Sequence, residues 1–232
     1  MARLPHVIVP GVAHHVTQRG NNRQPVFQND DDRSLYLRLL QRHAVANGAR
    51  ILGYCLMTNH VHLVVTPERE NSLARTFCAT HAEYAHALNQ KRQTSGHIWQ
   101  GRYYSCPLDE AHMERAMLYV DLNPVRAAIV STAWEWPWSS ARAHAAAEAR
   151  DLVLDREWDE LTGGWNHVSW REQLESALTE QDTAALRRAT RRGVPLGSEA
   201  FIDELERRAG RRLRLLERGR PKKQPAPAVT AA

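Results

Sequence analysis

Two strand-like stretches with a two-residue gap between them constrain this chain most. Residues 50–57 (Arg-Ile-Leu-Gly-Tyr-Cys-Leu-Met) and 60–66 (His-Val-His-Leu-Val-Val-Thr) are mostly apolar or β-branched, and Thr58 and Asn59 alone separate them. A connection that short reads as an antiparallel hairpin, because parallel strands need a crossover of a dozen residues or more. Helical patterns flank the pair. Residues 33–47 repeat Leu35, Leu39 and Leu40 at helical spacing, with caps on offer in Asn29 to Asp32 and a stop at Asn47-Gly48. After Pro67, residues 72–91 form a second long helix capped near Asn71 or Ser72.

Further strands lie outside these helices. The polar alternation of residues 13–19 around Val16 and Thr17 reads as a first strand closed by Gly20-Asn21-Asn22. The aromatic stretch 97–106 is expected as an edge strand. A third helix runs from Asp109 through Leu122, is interrupted by Asn123-Pro124, and resumes over 125–130. The order strand, helix, strand, strand, helix, strand, helix is the split β-α-β plan of a ferredoxin-like α+β domain, an antiparallel sheet with helices on one face. Expected boundaries are a domain over 1–145, a mainly helical region over 146–210, and a basic tail over 211–232. Within these, Trp134 to Ser140 reads as an aromatic packing clamp, residues 152–186 as helix anchored by Trp158, Trp165 and Trp170, and Ser198 as the cap of a short amphipathic helix.

The 232 residues are 43% hydrophobic and 25% charged, ordinary globular usage that argues against wholesale disorder. No apolar run approaches the roughly 18 residues of a membrane span, and residues 1–11 lack the apolar segment of a signal peptide. Cys55, Cys78 and Cys106 are far apart and odd in number, against a disulfide framework or a thiolate zinc site. A cytoplasmic, reduced protein without a membrane partner is expected. Net charge is +5, but residues 187–223 hold 13 basic and 5 acidic side chains, a local +8 against −3 for the remainder. So basic a segment on a near-neutral body points to a polyanion such as nucleic acid, or else to a solvated tail.

His60-Val61-His62 is the first chemical candidate. Residues two apart on a strand face the same side, so both imidazoles can address one divalent cation. Taken by itself the pair reads more readily as two surface histidines on an ordinary strand. Tyr119 and Asn123 are four apart and share a helix face, which offers a phenol beside an amide oxygen. The bland alternatives are a buried helix tyrosine and a capping asparagine with Pro124 at the first helical position.

Three separated motifs occur in order. They are Tyr54-Cys-Leu-Met-Thr-Asn-His-Val-His-Leu-Val-Val65, Trp99-Gln-Gly-Arg-Tyr-Tyr-Ser105 and Tyr119-Val-Asp-Leu-Asn-Pro-Val-Arg-Ala127, with Gln18 to Phe27 ahead of them. From about Val7 to Ser140 the chain resembles the REP-associated tyrosine transposases, members of the single-tyrosine HUH group named for His-hydrophobe-His. The resemblance implies cleavage and joining of single-stranded or hairpin DNA at palindromic repeats. It implies His60 and His62 as ligands of Mg²⁺ or Mn²⁺, Tyr119 as nucleophile and Asn123 as third metal contact, although related members use a glutamine on the tyrosine helix. A free phenol has a pKa of about 10 and attacks poorly at neutral pH. A cation that stabilises phenolate and polarises the scissile phosphate lowers the same barrier twice. The implied product is a 5′-phosphotyrosine and a free 3′-hydroxyl, in a reversible exchange that needs no ATP.

Tyr103 and Tyr104 are rival nucleophiles that rank below Tyr119 because they sit on the aromatic strand. Trp99 and Arg102 are candidate DNA contacts by stacking and phosphate binding, with core packing the alternative for Trp99. Arg19, Asn22 and Arg23 in the first turn are further candidate DNA contacts. Arg218-Gly-Arg220-Pro221 resembles an AT-hook core, in which arginines follow the negative potential of a narrow minor groove. The partner is therefore DNA, and the chain acts as a monomer or homodimer. The rival from another class is a catalytically idle DNA-binding regulator that keeps the fold. A replication or transfer initiator is the third alternative, less favoured without a helicase-like phosphate loop.

Overall fold

The computed structural model describes residues 6–146, 151–155, 167–176 and 178–214. Four strands make its sheet: β1 (His14–Arg19), β2 (Ala49–Met57), β3 (His60–Pro67) and β4 (Tyr104–Pro107). Their order is β2-β3-β1-β4, antiparallel throughout. Helix α1 (Asp30–Asn47) connects β1 to β2 and α2 (Ser72–Arg92) connects β3 to β4, which completes the ferredoxin-like plan.

Local chemistry sets these boundaries. The Asn29 side chain accepts from the Asp32 amide to start α1, and Gly48 ends it in the left-handed region at φ 63°. The hairpin register pairs Met57 with His60 and Cys55 with His62, as the two-residue connection requires. Residues 97–103 do not extend the edge strand. Gln100 bonds to the Arg19 carbonyl and Asn21 to the Ile98 carbonyl, and Gly101 then turns the chain at φ 71°. Regular pairing resumes at Tyr104, so the expected strand over 97–106 is realised in its last residues alone.

Period-2 alternation divides the sheet into two faces. Val61, Leu63 and Val65 of β3, with Val16 and Leu56, pack on α1 and α2 around Tyr36, Phe77 and Tyr84. The two crossover helices thus share one face, as the plan predicts. The other face, carrying Cys55, Val64 and Cys106, is covered by α3 (Glu110–Asp121), α6 (His167–Glu175) and α7 (Glu180–Arg192). Between them lie α4 (Asn123–Arg126) and α5 (Ala141–Ala145), and α8 (Glu199–Ala209) follows. Residues 152–186 are therefore not one helix. The chain is non-helical over 151–155, and Thr179 caps α7 by accepting from the Asp182 amide. Trp158 and Trp165 lie outside the described residues, whereas Trp170 is buried against α3. α8 packs its Leu205 on Val7 and Val9, with Ser198 as its cap.

Trp134 to Ser140 does clamp the core. The Leu56 amide bonds to the Trp138 carbonyl, the Trp136 indole donates to the Leu56 carbonyl, and the Arg33 guanidinium lies 5.4 Å from the Trp136 ring centroid. Among the described residues no helix is long and apolar enough to cross a membrane.

Candidate active site

The face of β3 that holds His60 and His62 also holds β1 residues His15, Thr17 and Arg19, because the register pairs Arg19 with His60 and Thr17 with His62. Met57 joins them from β2 and Tyr104 from β4. α3 crosses this face, and Tyr119 points down onto it. The Tyr119 ring meets the His62 ring edge to face, with centroids 5.3 Å apart, and the His15 ring at 5.7 Å. These side chains line a cavity of about 500 Å³.

The α3 end is built as the i, i+4 spacing predicts. Asn123 lines the cavity with Tyr119, and its amide nitrogen donates to the Tyr119 carbonyl at 2.8 Å. That bond fixes the amide and leaves its oxygen available. Asn123 is not a cap, however. Leu122 occupies the cap position of α4, and Asn123 and Pro124 are its first residues.

Each imidazole has a second hydrogen-bonding partner. His60 Nδ1 is 2.7 Å from Asn59 Oδ1, an acceptor, so Nδ1 carries the proton and Nε2 keeps its lone pair. His62 Nδ1 is 3.0 Å from His15 Nε2, and His15 Nδ1 is 2.7 Å from the Thr190 hydroxyl. Donation along this chain toward Thr190 would leave His62 Nε2 unprotonated as well, and donation in the opposite sense would place the proton there. Second partners of this kind are what metal-binding histidines require. Among the described residues no three His, Cys, Asp or Glu side chains group to hold a metal. The donors here are two imidazole nitrogens and one amide oxygen, a set that fits a cation keeping positions open for substrate oxygens.

Burial, joined at His60 by Arg19 and Arg187, holds that imidazole down at about 4 against an ordinary 6.5. Burial lowers His14 to about 4, His15 and His81 to about 3, and His62 well below the ordinary value. All are neutral at pH 7. An unfolded chain takes up these protons near pH 6.5, and the folded chain not until about 4 or below. Their contribution to stability is thus present above about pH 6.5 and lost as pH falls through about 4. The melting temperature of the apoprotein is expected to be lower at pH 5 than at pH 7. A melt unchanged or raised at pH 5 would contradict buried neutral imidazoles.

Four arginines, Arg19, Arg126, Arg187 and Arg191, line the cavity, and no carboxylate is among its described lining residues. Arg126 and Arg187 hold their guanidinium carbons 5.2 and 5.7 Å from the Tyr119 ring centroid. The enclosure is therefore cationic and suited to a polyanion.

The other expected site residues divide. Arg19 is exposed at the cavity rim, Asn22 and Arg23 are exposed in the adjoining turn, and Arg102 is exposed on the loop before β4. Trp99 is corrected. It is 8% exposed, lies tilted against His81 with centroids 4.5 Å apart, and donates its indole N–H to the His81 carbonyl, so it packs in the core. Tyr103 is likewise buried against Phe77, with burial pushing its phenol up to about 12. Tyr104 does line the cavity and remains the rival to Tyr119. Arg218 and Arg220 lie outside the described residues.

Sequence reasoning missed His15, Arg126, Arg187 and Thr190. For His15 a signal was present, since alternation along 14–19 places His15, Thr17 and Arg19 on one face. For Arg187 and Thr190 there was none, because their partners Tyr119 and His15 are 68 and 175 residues away.

Known proteins share this fold. The fold matches a solved REP-associated tyrosine transposase bound to a REP hairpin, with a TM-score of 0.55 at 16% identity over 66% of this chain and 91% of that one. In sequence the chain is 26% identical over 109 residues to a Haemophilus influenzae protein described as a REP-associated tyrosine transposase. The match spans 42% of this chain and 61% of that relative's length. The family model for IS200-like transposases matches residues 8–123, half of the chain, from ahead of β1 through the His-Val-His strand to Asn123, and the chain belongs to that family.

Proposed function

We propose that this protein is a divalent-cation-dependent DNA transesterase of the transposase type, acting on single-stranded or hairpin DNA with Tyr119 as its nucleophile. The observation that carries the reading is the packing of the Tyr119 ring against His62, 5.3 Å between centroids, inside a cavity that also holds His60 and four arginines. A cation there would polarise the scissile phosphate and favour the phenolate form of the nucleophile.

His60 and His62 would hold that ion through Nε2, with the Asn123 amide oxygen as third donor. Two nitrogens in the set favour Mn²⁺ over Mg²⁺, which prefers oxygen throughout. In the step itself the Tyr119 oxygen bonds to phosphorus as the bond from phosphorus to the 3′-oxygen breaks. The phenol loses its proton to solvent and the departing 3′-oxygen gains one, which leaves a 5′-phosphotyrosine and a 3′-hydroxyl. One phosphodiester replaces another, so the reverse step rejoins DNA without an energy source. Arg19 and the exposed Arg23 and Arg102 would receive flanking phosphates, and the substrate is a hairpin of the kind formed by palindromic repeats.

The test is to mix the full chain with Mn²⁺ and labelled single-stranded hairpin DNA drawn from palindromes flanking its gene. A covalent adduct that resists denaturation and disappears with a chelator is expected. Tight hairpin binding with no adduct from metal-loaded protein would replace the enzyme by an idle DNA-binding regulator.

A further inference from the structure

The helix that touches the Tyr119 hydroxyl lies beyond the residues that the family match covers. α7 turns Arg187, Thr190 and Arg191 toward the cavity, at the three- and four-residue spacing of one helix face. The Arg187 Nε–H donates to the Tyr119 hydroxyl at 3.2 Å, and the guanidinium also lies over the ring. Three residues on, Thr190 is bonded to His15, which pins α7 to β1. Leu186 and Ala189 bury the neighbouring side of the helix in the core, so Arg187 stands on a rigid support.

We propose that Arg187 is a catalytic residue of the transesterification, supplied by the C-terminal extension. This rests on the reading of Tyr119 as nucleophile. The Nε–H holds the phenol oxygen on its line of attack and favours negative charge as it develops there. The planar fork has five N–H donors, and those not facing Tyr119 suit a non-bridging oxygen of the scissile phosphate. A lysine at this position would supply the charge but not both contacts. The extension is thus part of the reaction centre and more than a tether for DNA.

The experiment compares single-turnover adduct formation at saturating hairpin and Mn²⁺ for the full chain, Tyr119→Phe, Arg187→Ala and Arg187→Lys. Loss of one preorganised donor of this kind slows chemistry by about 100–1,000-fold, and that slowing is expected for Arg187→Ala. Arg187→Lys should recover a small part of it, and millimolar guanidinium added to Arg187→Ala a larger part. An Arg187→Ala rate within about threefold of the original chain, or a loss that guanidinium does not restore, overturns the proposal. If the original chain forms no adduct, or Tyr119→Phe still forms it, the nucleophile assignment itself has failed. If Tyr119 reacts and Arg187→Ala keeps pace, the role of Arg187 alone has failed.

Discussion

Tyr119→Phe is expected to reduce adduct formation by at least about 10⁴-fold, because it removes the atom that bonds to phosphorus rather than one that assists it. The fold should survive. The ring contacts to His62 and His15 and the two guanidiniums over the ring do not involve the hydroxyl, and among the described residues the bond lost is that to Arg187. Hairpin affinity is expected to stay within a few-fold, since the lining arginines remain. Gel analysis of the denatured reaction measures the first quantity and a binding titration the second. Tyr104→Phe is the informative partner, because Tyr104 shares the cavity. It should keep most of the activity, and an adduct that follows Tyr104 instead would transfer the nucleophile to β4.

Asp121→Ala is expected to destabilise the fold by about 3–5 kcal/mol, the range for breaking a buried ion pair. Asp121 is fully buried and is not among the residues that line the cavity. It receives His144 Nδ1 at 2.7 Å, the Trp170 indole at 3.0 Å and the Ser140 hydroxyl at 3.0 Å, while His144 Nε2 reaches the Leu52 carbonyl at 2.9 Å. Both ring nitrogens of His144 thus face acceptors, and the imidazole must be charged to satisfy both. Burial works against that charge, but Asp121 together with the Leu52 carbonyl and Asp151 outweighs it and holds the His144 pKa above its ordinary value.

This network ties α3 to β2, α5 and α6, and so fixes the helix that presents Tyr119. For a chain of this size the melting temperature should fall by roughly 6–20 °C. The pH dependence runs opposite to that of the cavity imidazoles. Stability from a raised histidine is complete below its unfolded value of about 6.5 and is lost as pH rises through the folded value. Thermal melts from pH 6 to 9 should therefore show an alkaline decline in the original chain that is absent from Asp121→Ala. A melting temperature within about 2 °C of the original would contradict a structural role for the pair.

How much of this could be read from the sequence depended on range. The β2–β3 hairpin was legible because two residues cannot connect strands in any other way, and the shared face of His60 and His62 follows from the alternation of a strand. Tyr119 and Asn123 were legible as helix neighbours. Trp99 was not, because an aromatic residue beside Gly101 reads alike whether it stacks on a base or fills a core. The bond from the Asn21 amide to the Ile98 carbonyl and the Tyr36–His81–Trp99 cluster put it inside. The histidine doublet at 14 and 15 was passed over, although antiparallel register makes His15 the member that faces His62. The basic run from Arg187 looked like a tail for DNA. Its first arginines are instead on a helix with one face in the core, and a helix placed by tertiary packing leaves no local mark of which arginine meets which phenol. Asp121, two residues from Tyr119, was hidden in the same way, since its partners come from α5 with its cap and from α6.

The central claim is that His60 and His62 hold one cation beside the Tyr119 phenol. Pulsed electron paramagnetic resonance of the full chain loaded with one equivalent of Mn²⁺ tests it without any DNA. Nitrogen couplings from two imidazoles are expected, falling to one in His60→Ala and to one in His62→Ala. An Mn²⁺ signal with no nitrogen coupling, or one that neither substitution alters, would contradict the account.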